Sequence, residues 1–145
     1  MTPDELGPYG DYELDTVKVY HGWPSGSAAA IDVTVIIYAE GTDTEPGSVI
    51  TTESYSIPEG SGWVEIPLST PVPIDPTHDL WVSIEWQQTN APDYPAGCDA
   101  GPMVPNKGGF VYLNGEWDQI ADATNGQIDV NWEIQAGLSL SLIHI

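Results

Sequence analysis

Between Gly62 and Trp86, two stretches of apolar alternation stand on either side of a run of prolines, and no helix can pass through such a segment. Val64, Ile66 and Leu68 share one face of the first stretch, and Leu80, Val82, Ile84 and Trp86 share one face of the second. A period of two is what an extended strand with one buried face requires. Pro67, Pro71, Pro73 and Pro76 lie between them. Each fixes φ and withholds a backbone donor, so the connection reads as a stiff crossing between two strands.

The same grammar extends along the chain. It predicts strands at 12–20, 31–39, 48–57, 63–68, 80–88, 110–113, 116–120 and 128–136. In the second of these, Ile31, Val33, Val35 and Ile37 alternate with Asp32, Thr34, Ile36 and Tyr38, and the partly apolar second face marks a central strand. Asn114-Gly115 is a two-residue hairpin signal between the sixth and seventh. In the last, Ile128, Val130, Trp132 and Ile134 are expected inward, and Asp129, Asn131 and Glu133 outward. His21 falls in the loop after the first strand, and Asn90 to Gly108 reads as a long Gly/Pro loop. No segment of adequate length has a helical period. About eight short strands without an internal repeat predict an all-β fold, an antiparallel two-sheet β-sandwich, jelly-roll-like, with an immunoglobulin-like strand order still open.

Charge narrows the partners. The chain has 22 acidic residues against two lysines, Lys18 and Lys107, and a formal net charge of −20. Such a field repels phosphate backbones and anionic lipid surfaces, so nucleic acid is not an expected partner. No apolar run approaches a membrane span, so no membrane insertion is expected, and no signal-like h-region stands at the start. An export signal would lie outside this sequence. The acids are dispersed rather than blocked, as on solvated strand faces and loop tips. A single cysteine, Cys98, excludes an internal disulfide and reads as an incidental loop residue.

The order of motifs carries a resemblance. Gly62-Trp-Val-Glu-Ile-Pro-Leu68 is followed by Pro71-Val-Pro-Ile-Asp-Pro76 and Asp79-Leu-Trp-Val82; Asp32-Val-Thr-Val-Ile-Ile-Tyr38 precedes them. The acidic Gly/Pro stretch Asp93 to Pro102, then Gly115-Glu-Trp-Asp118 and Asn131-Trp-Glu-Ile134, come after. From Tyr12 to Ala136 this resembles jelly-roll accessory and adhesin domains of secreted bacterial multidomain proteins, the cleaved-adhesin type. The resemblance implies a non-catalytic adhesive or accessory module, often calcium-stabilised, beside neighbouring domains of a longer extracellular or cell-surface chain. No binding residue is carried over from that family, and the arginine common in its adhesive variants is absent here.

Residues 1–11 are read as a lead-in and 12–138 as the sandwich domain. The ending Leu140-Ser-Leu-Ile-His-Ile145 matches a one-frame translation of a sequencing-library adaptor, so 139–145 are expected to be read-through in a metagenomic fragment rather than native chain.

Candidate chemistry is sparse. Gly-x-Ser-x-Gly and His-Glu-x-x-His are both missing, and His21 and His78 lack a catalytic context, so no catalytic residue is assigned. Asp93 and Asp99, with the carbonyls of their Gly/Pro loop, offer hard oxygen ligands for a calcium ion. Trp86 and Trp132 share faces with aliphatic neighbours and are expected in the core. Trp63 and Trp81 fall on the opposite faces of their strands, while Trp23, Tyr94, Tyr112 and Trp117 lie in or near loops. Exposed rings beside carboxylates and amides suit sugars, so Trp23, Trp117, Tyr94, Trp81 and Trp63 are the candidate contacts for a carbohydrate or cell-surface protein partner. The alternatives are a structural spacer beside a secreted enzyme or anchor, and an enzyme domain, which would need a deep polar cleft.

Overall fold

The computed structural model describes residues 1–22, 26–87 and 96–141. Among these, eight strands form: β1 (Tyr12–His21), β2 (Ile31–Gly41), β3 (Ser48–Ile57), β4 (Gly62–Pro73), β5 (Asp79–Trp86), β6 (Phe110–Leu113), β7 (Glu116–Gln119) and β8 (Ile134–Leu140). The helical pieces are short: α1 (Pro3–Leu6), a 3-10 turn (Gly7–Tyr9) and α2 (Ile120–Ala123). One three-stranded sheet has the order β4-β1-β8, the other β3-β2-β5, and β6 and β7 form a separate hairpin. All strand pairs are antiparallel. The fold is an all-β sandwich in which the first and last strands pair.

One core joins the sheets. Leu14, Val17, Val19, Ile66, Leu68 and Val72 come from the first sheet; Val33, Val35, Ile37, Ile57 and Leu80 come from the second. Trp86 packs against this cluster from its edge, as its place in the alternation requires. His21 ends β1 rather than opening a loop, and it is buried with its Nε2 3.1 Å from the Ala29 carbonyl.

The proline segment differs from expectation in extent. Pro67, Pro71 and Pro73 lie inside the twelve-residue β4, and only Ile74 to His78 carries the chain across to β5. β4 is an edge strand, where a missing N–H can face away from the ladder without cost. Its pairing with β1 breaks where Leu14 faces Val72 and Thr16 faces Pro67. At that irregularity the Ser69 N–H donates to the Glu53 carboxylate on β3 at 2.7 Å, linking the two sheets along one side.

The crossing is tightened by Asp75. Its Oδ1 accepts from the Thr77 N–H at 2.8 Å and from the Thr77 hydroxyl at 2.6 Å, while Oδ2 lies 3.0 Å from Nδ1 of His78. The Thr77 hydroxyl and then His78 hold the Asp75 carboxyl down at about 2, and Asp75 in turn raises the His78 imidazole above its ordinary value.

The last strand begins late. Of the expected strand 128–136, only Ile134 to Ala136 belongs to β8, which continues to Leu140 paired with Tyr12. Ile128 is exposed, and Trp132 is half-buried outside the main core. The physical reason lies in the residues expected outward. Asp129 Oδ1 accepts from the Met103 N–H at 2.7 Å, and Asn131 Oδ1 accepts from the Val104 N–H at 2.8 Å. Short polar side chains that bond backbone amides hold a segment in irregular form against a ladder.

Two outcomes follow from this packing. Ile37 is fully buried, so Ile37→Ala should destabilise the domain by about 2–5 kcal/mol in denaturant unfolding. The Asp75–His78 pair should contribute fully between the unfolded values of 3.8 and 6.5. Its contribution is lost as the pH falls from 3.8 through about 2, by protonation of Asp75, and as the pH rises from 6.5 through the raised His78 midpoint. NMR titration should therefore place the His78 midpoint above 6.5, and Asp75→Asn should lower it; an unchanged midpoint would refute the coupling.

Candidate functional site

The outer face of the β3-β2-β5 sheet carries the aromatic side chains. Tyr38 and Trp81 are register partners across β2 and β5, and Ile36 and Ser83 are the next partners on the same face. The sequence Glu40-Gly41-Thr42 sets the Trp81 ring. Glu40 adopts a positive φ of 58°, and the β2–β5 register shifts between Tyr38 and Gly41. A β-carbon on Gly41 would stand 2.6 Å from Cδ1 of Trp81, so the indole lies over backbone that only glycine leaves open. The indole N–H then donates to the Thr42 carbonyl at 2.8 Å.

The β6–β7 hairpin supplies the rest. Asn114 and Gly115 have φ values of 54° and 92°, the two positive angles of a type I′ turn. That turn pairs Tyr112 with Trp117 and puts Phe110 on the same face, two residues before Tyr112. Phe110 meets Trp81 at a centroid separation of 4.7 Å, and Trp117 meets Trp81 at 5.8 Å. Trp117 also touches Tyr38 at 6.2 Å and Tyr112 at 5.3 Å. These spacings are direct tilted and edge-to-face contacts, so the five rings form one surface rather than a cage.

Backbone contacts anchor this hairpin. The Trp132 indole N–H donates to the Phe110 carbonyl at 2.9 Å, and the N–H of buried Ile120 donates to the Gly109 carbonyl at 2.7 Å. Trp132 thus holds the hairpin in place instead of filling the core. On the other flank, Asn106 Nδ2 donates to Asp43 at 3.2 Å, and Lys107 pairs with Glu5 of α1 at 2.8 Å. The Lys107 contact, followed by the Thr2 N–H, holds the Glu5 carboxyl at about 2. Between these walls lies a groove lined by the rings and by Asp43, Ser83, Glu85 and Asn106; it is part of a cavity of about 1190 Å³ that also reaches the core-side residues Val82, Ile84 and Trp86 of β5.

Of the five aromatic candidates, the structure brings Trp81 and Trp117 together. Trp63 stands apart on β4, 45% exposed and edge-on to Tyr20 at 5.7 Å. Trp23, Tyr94 and Asp93 lie outside the described residues. Asp99 is a brace. Its Oδ1 accepts from the N–H groups of Gly101 at 2.8 Å and Asn131 at 2.9 Å, and Oδ2 accepts from the Asn131 amide at 2.8 Å. The Asn131 and Gly101 donors lower its pKa. Among the described residues, no three His, Cys, Asp or Glu side chains converge as a metal site. Cys98 is partly buried, and burial, then Asp99 and Glu133, push its thiol up, away from the reactive thiolate.

The sequence pattern alone does not mark Tyr38 or Phe110 as contacts, and it places Tyr112 only near loops. A period-two reading of the hairpin about Asn114-Gly115 places Tyr112 opposite Trp117 and Phe110 beside them; that signal was available. The contact of the hairpin with β5 was not, because it depends on tertiary placement. No known protein family, curated protein or solved structure matches this chain. What the fold and the site define is an all-β sandwich with an aromatic groove on one sheet face.

Gly41→Ala should push the Trp81 ring off the backbone, at a cost of about 1–3 kcal/mol. The readouts are denaturant unfolding and the near-ultraviolet circular dichroism of the Trp81–Trp117 pair. An unaltered near-ultraviolet spectrum would show that Gly41 does not set the ring.

Proposed function

We propose that the domain is a non-catalytic, extracellular accessory module whose groove binds a carbohydrate chain. The observation that carries this reading is the continuous surface of Tyr38, Trp81, Phe110, Tyr112 and Trp117, flanked by carboxylate, amide and hydroxyl groups. The CH faces of sugar rings stack on such surfaces while their hydroxyls reach the polar rim. Tyr112 is 59% exposed at the mouth and is the best-placed stacking platform. Trp81, with its N–H spent on Thr42, serves more as the floor.

Glu5, paired with Lys107 and held at about 2, is unsuited to the general-acid role that glycoside hydrolysis needs. The 22 acids against two lysines suit an extracellular setting in which ions screen the surface. The module's kinship with adhesin-like accessory domains, and a role for calcium, belong to the same proposal.

A glycan array with the wild type, Tyr112→Ala and Trp117→Ala tests it. Each variant should lose about 10-fold or more in affinity, as aromatic anchors do at other interfaces. Trp63→Ala, on the other sheet, should keep binding. Loss in Trp63→Ala alone would move the site to the other sheet. A folded wild type that binds no glycan would make the module a spacer.

A further inference from the structure

The carbohydrate reading leaves open which glycans the groove accepts, and the charges around it decide. We infer that the groove selects neutral polysaccharide chains and rejects those bearing carboxylate or sulfate groups; this rests on the carbohydrate reading above. The polar groups that line it include the carboxylates of Asp43 and Glu85 and the hydroxyls of Ser83 and Tyr38. Asn106 lies beside them with its Nδ2 already given to Asp43. Two ammonium groups also line the groove, that of Lys107 held by Glu5 at 2.8 Å and that of Met1 donating to the Leu80 carbonyl at 3.0 Å. The chain's other lysine, Lys18, pairs with Glu65 at 2.5 Å on β1 and β4, and there is no arginine to form a bidentate clamp on an anion.

A neutral sugar meets this rim as a hydrogen-bond donor, since its hydroxyls can give protons to carboxylates. An anionic sugar brings a second acceptor against Asp43 and Glu85, inside the field of a chain carrying −20. Like charges set together at an interface oppose binding, and salt weakens the penalty because the groove is open to solvent. Specificity here is built by repulsion as much as by fit.

The test compares one chain with and without charge. Each neutral polysaccharide that binds is paired with its own 6-carboxyl derivative, made by oxidising the primary hydroxyls, and affinities are measured by calorimetry. At about 0.02 M salt the derivative should bind about 10-fold or more weakly, and the gap should narrow at about 0.5 M salt. The double variant Asp43→Asn, Glu85→Gln should narrow the low-salt gap as well, with thermal melts confirming that it folds. A derivative that binds as tightly as its parent at low salt would overturn the inference, as would a gap indifferent to both salt and the double variant. Binding of charged chains alone would overturn the charge rule and leave the carbohydrate reading standing. Binding of no polysaccharide of either kind removes the carbohydrate reading and the inference with it.

Discussion

β2 is used on both of its faces, and most of the molecule is arranged around that fact. Its inward side chains, Val33, Val35 and Ile37, are buried in the sandwich. Its outward ones, Ile36 and Tyr38, line the groove. As the middle strand of its sheet it pairs with β3 and β5 at once, so its register fixes theirs. A slip of one residue would send Tyr38 into the core and Ile37 to the groove, exchanging the two environments. The apolar alternation that stabilises the sandwich therefore also sets the position of the aromatic floor. In this molecule, core packing and site geometry cannot be varied independently along β2.

The hairpin of β6 and β7 couples to that floor by a different means. It adds no strand to either sheet, and its hold on the body comes from ring contacts and from a few backbone bonds. Trp132 is central to this arrangement, because its indole N–H reaches the Phe110 carbonyl while its own N–H donates to the Gly108 carbonyl. The segment carrying Trp132 is kept out of β8 by Asp129 and Asn131, whose side chains bond loop amides. Local polar bonding, placed where the apolar pattern alone favours a strand, frees Trp132 for this anchoring role.

That trade explains which parts of the structure were legible in the sequence. Strands with one face in the core announce themselves by alternation, and β1, β2, β3, β5 and the Asn114-Gly115 hairpin lie within a residue or two of expectation. The prolines were legible as a barrier to helix but not as members of an edge strand, because edge position depends on which strand pairs with β1. β8 starts at Ile134 rather than at residue 128 because hydrophobic period carries no information about side chain–backbone bonds. Trp81 was legible as an outward ring, and Trp117 as a ring on a hairpin. That the two would meet at 5.8 Å follows from the hairpin's docking, which no local pattern encodes.

The acids deserve a physical reading beyond their number. With two lysines in the chain, most carboxylates must find another partner or none, and several find backbone amides. Asp75 tightens the crossing through Thr77 and His78, Glu53 accepts across the sheets from Ser69, and Asp99 and Asp129 organise the segment around Trp132. Hydrogen bonds to an ionised acceptor are stronger than neutral ones, and each favours the charged form. Asp75, Glu53 and Asp99 accordingly all have lowered pKa values, held there by N–H or O–H donors. Carboxylates so engaged fix the local backbone by hydrogen bonds. Asp43, which accepts from the Asn106 amide, and Glu85 lie at the groove, where the proposed reading sets them against the ligand. On the proposed reading, the same composition divides into acids that build the frame and acids that filter the ligand.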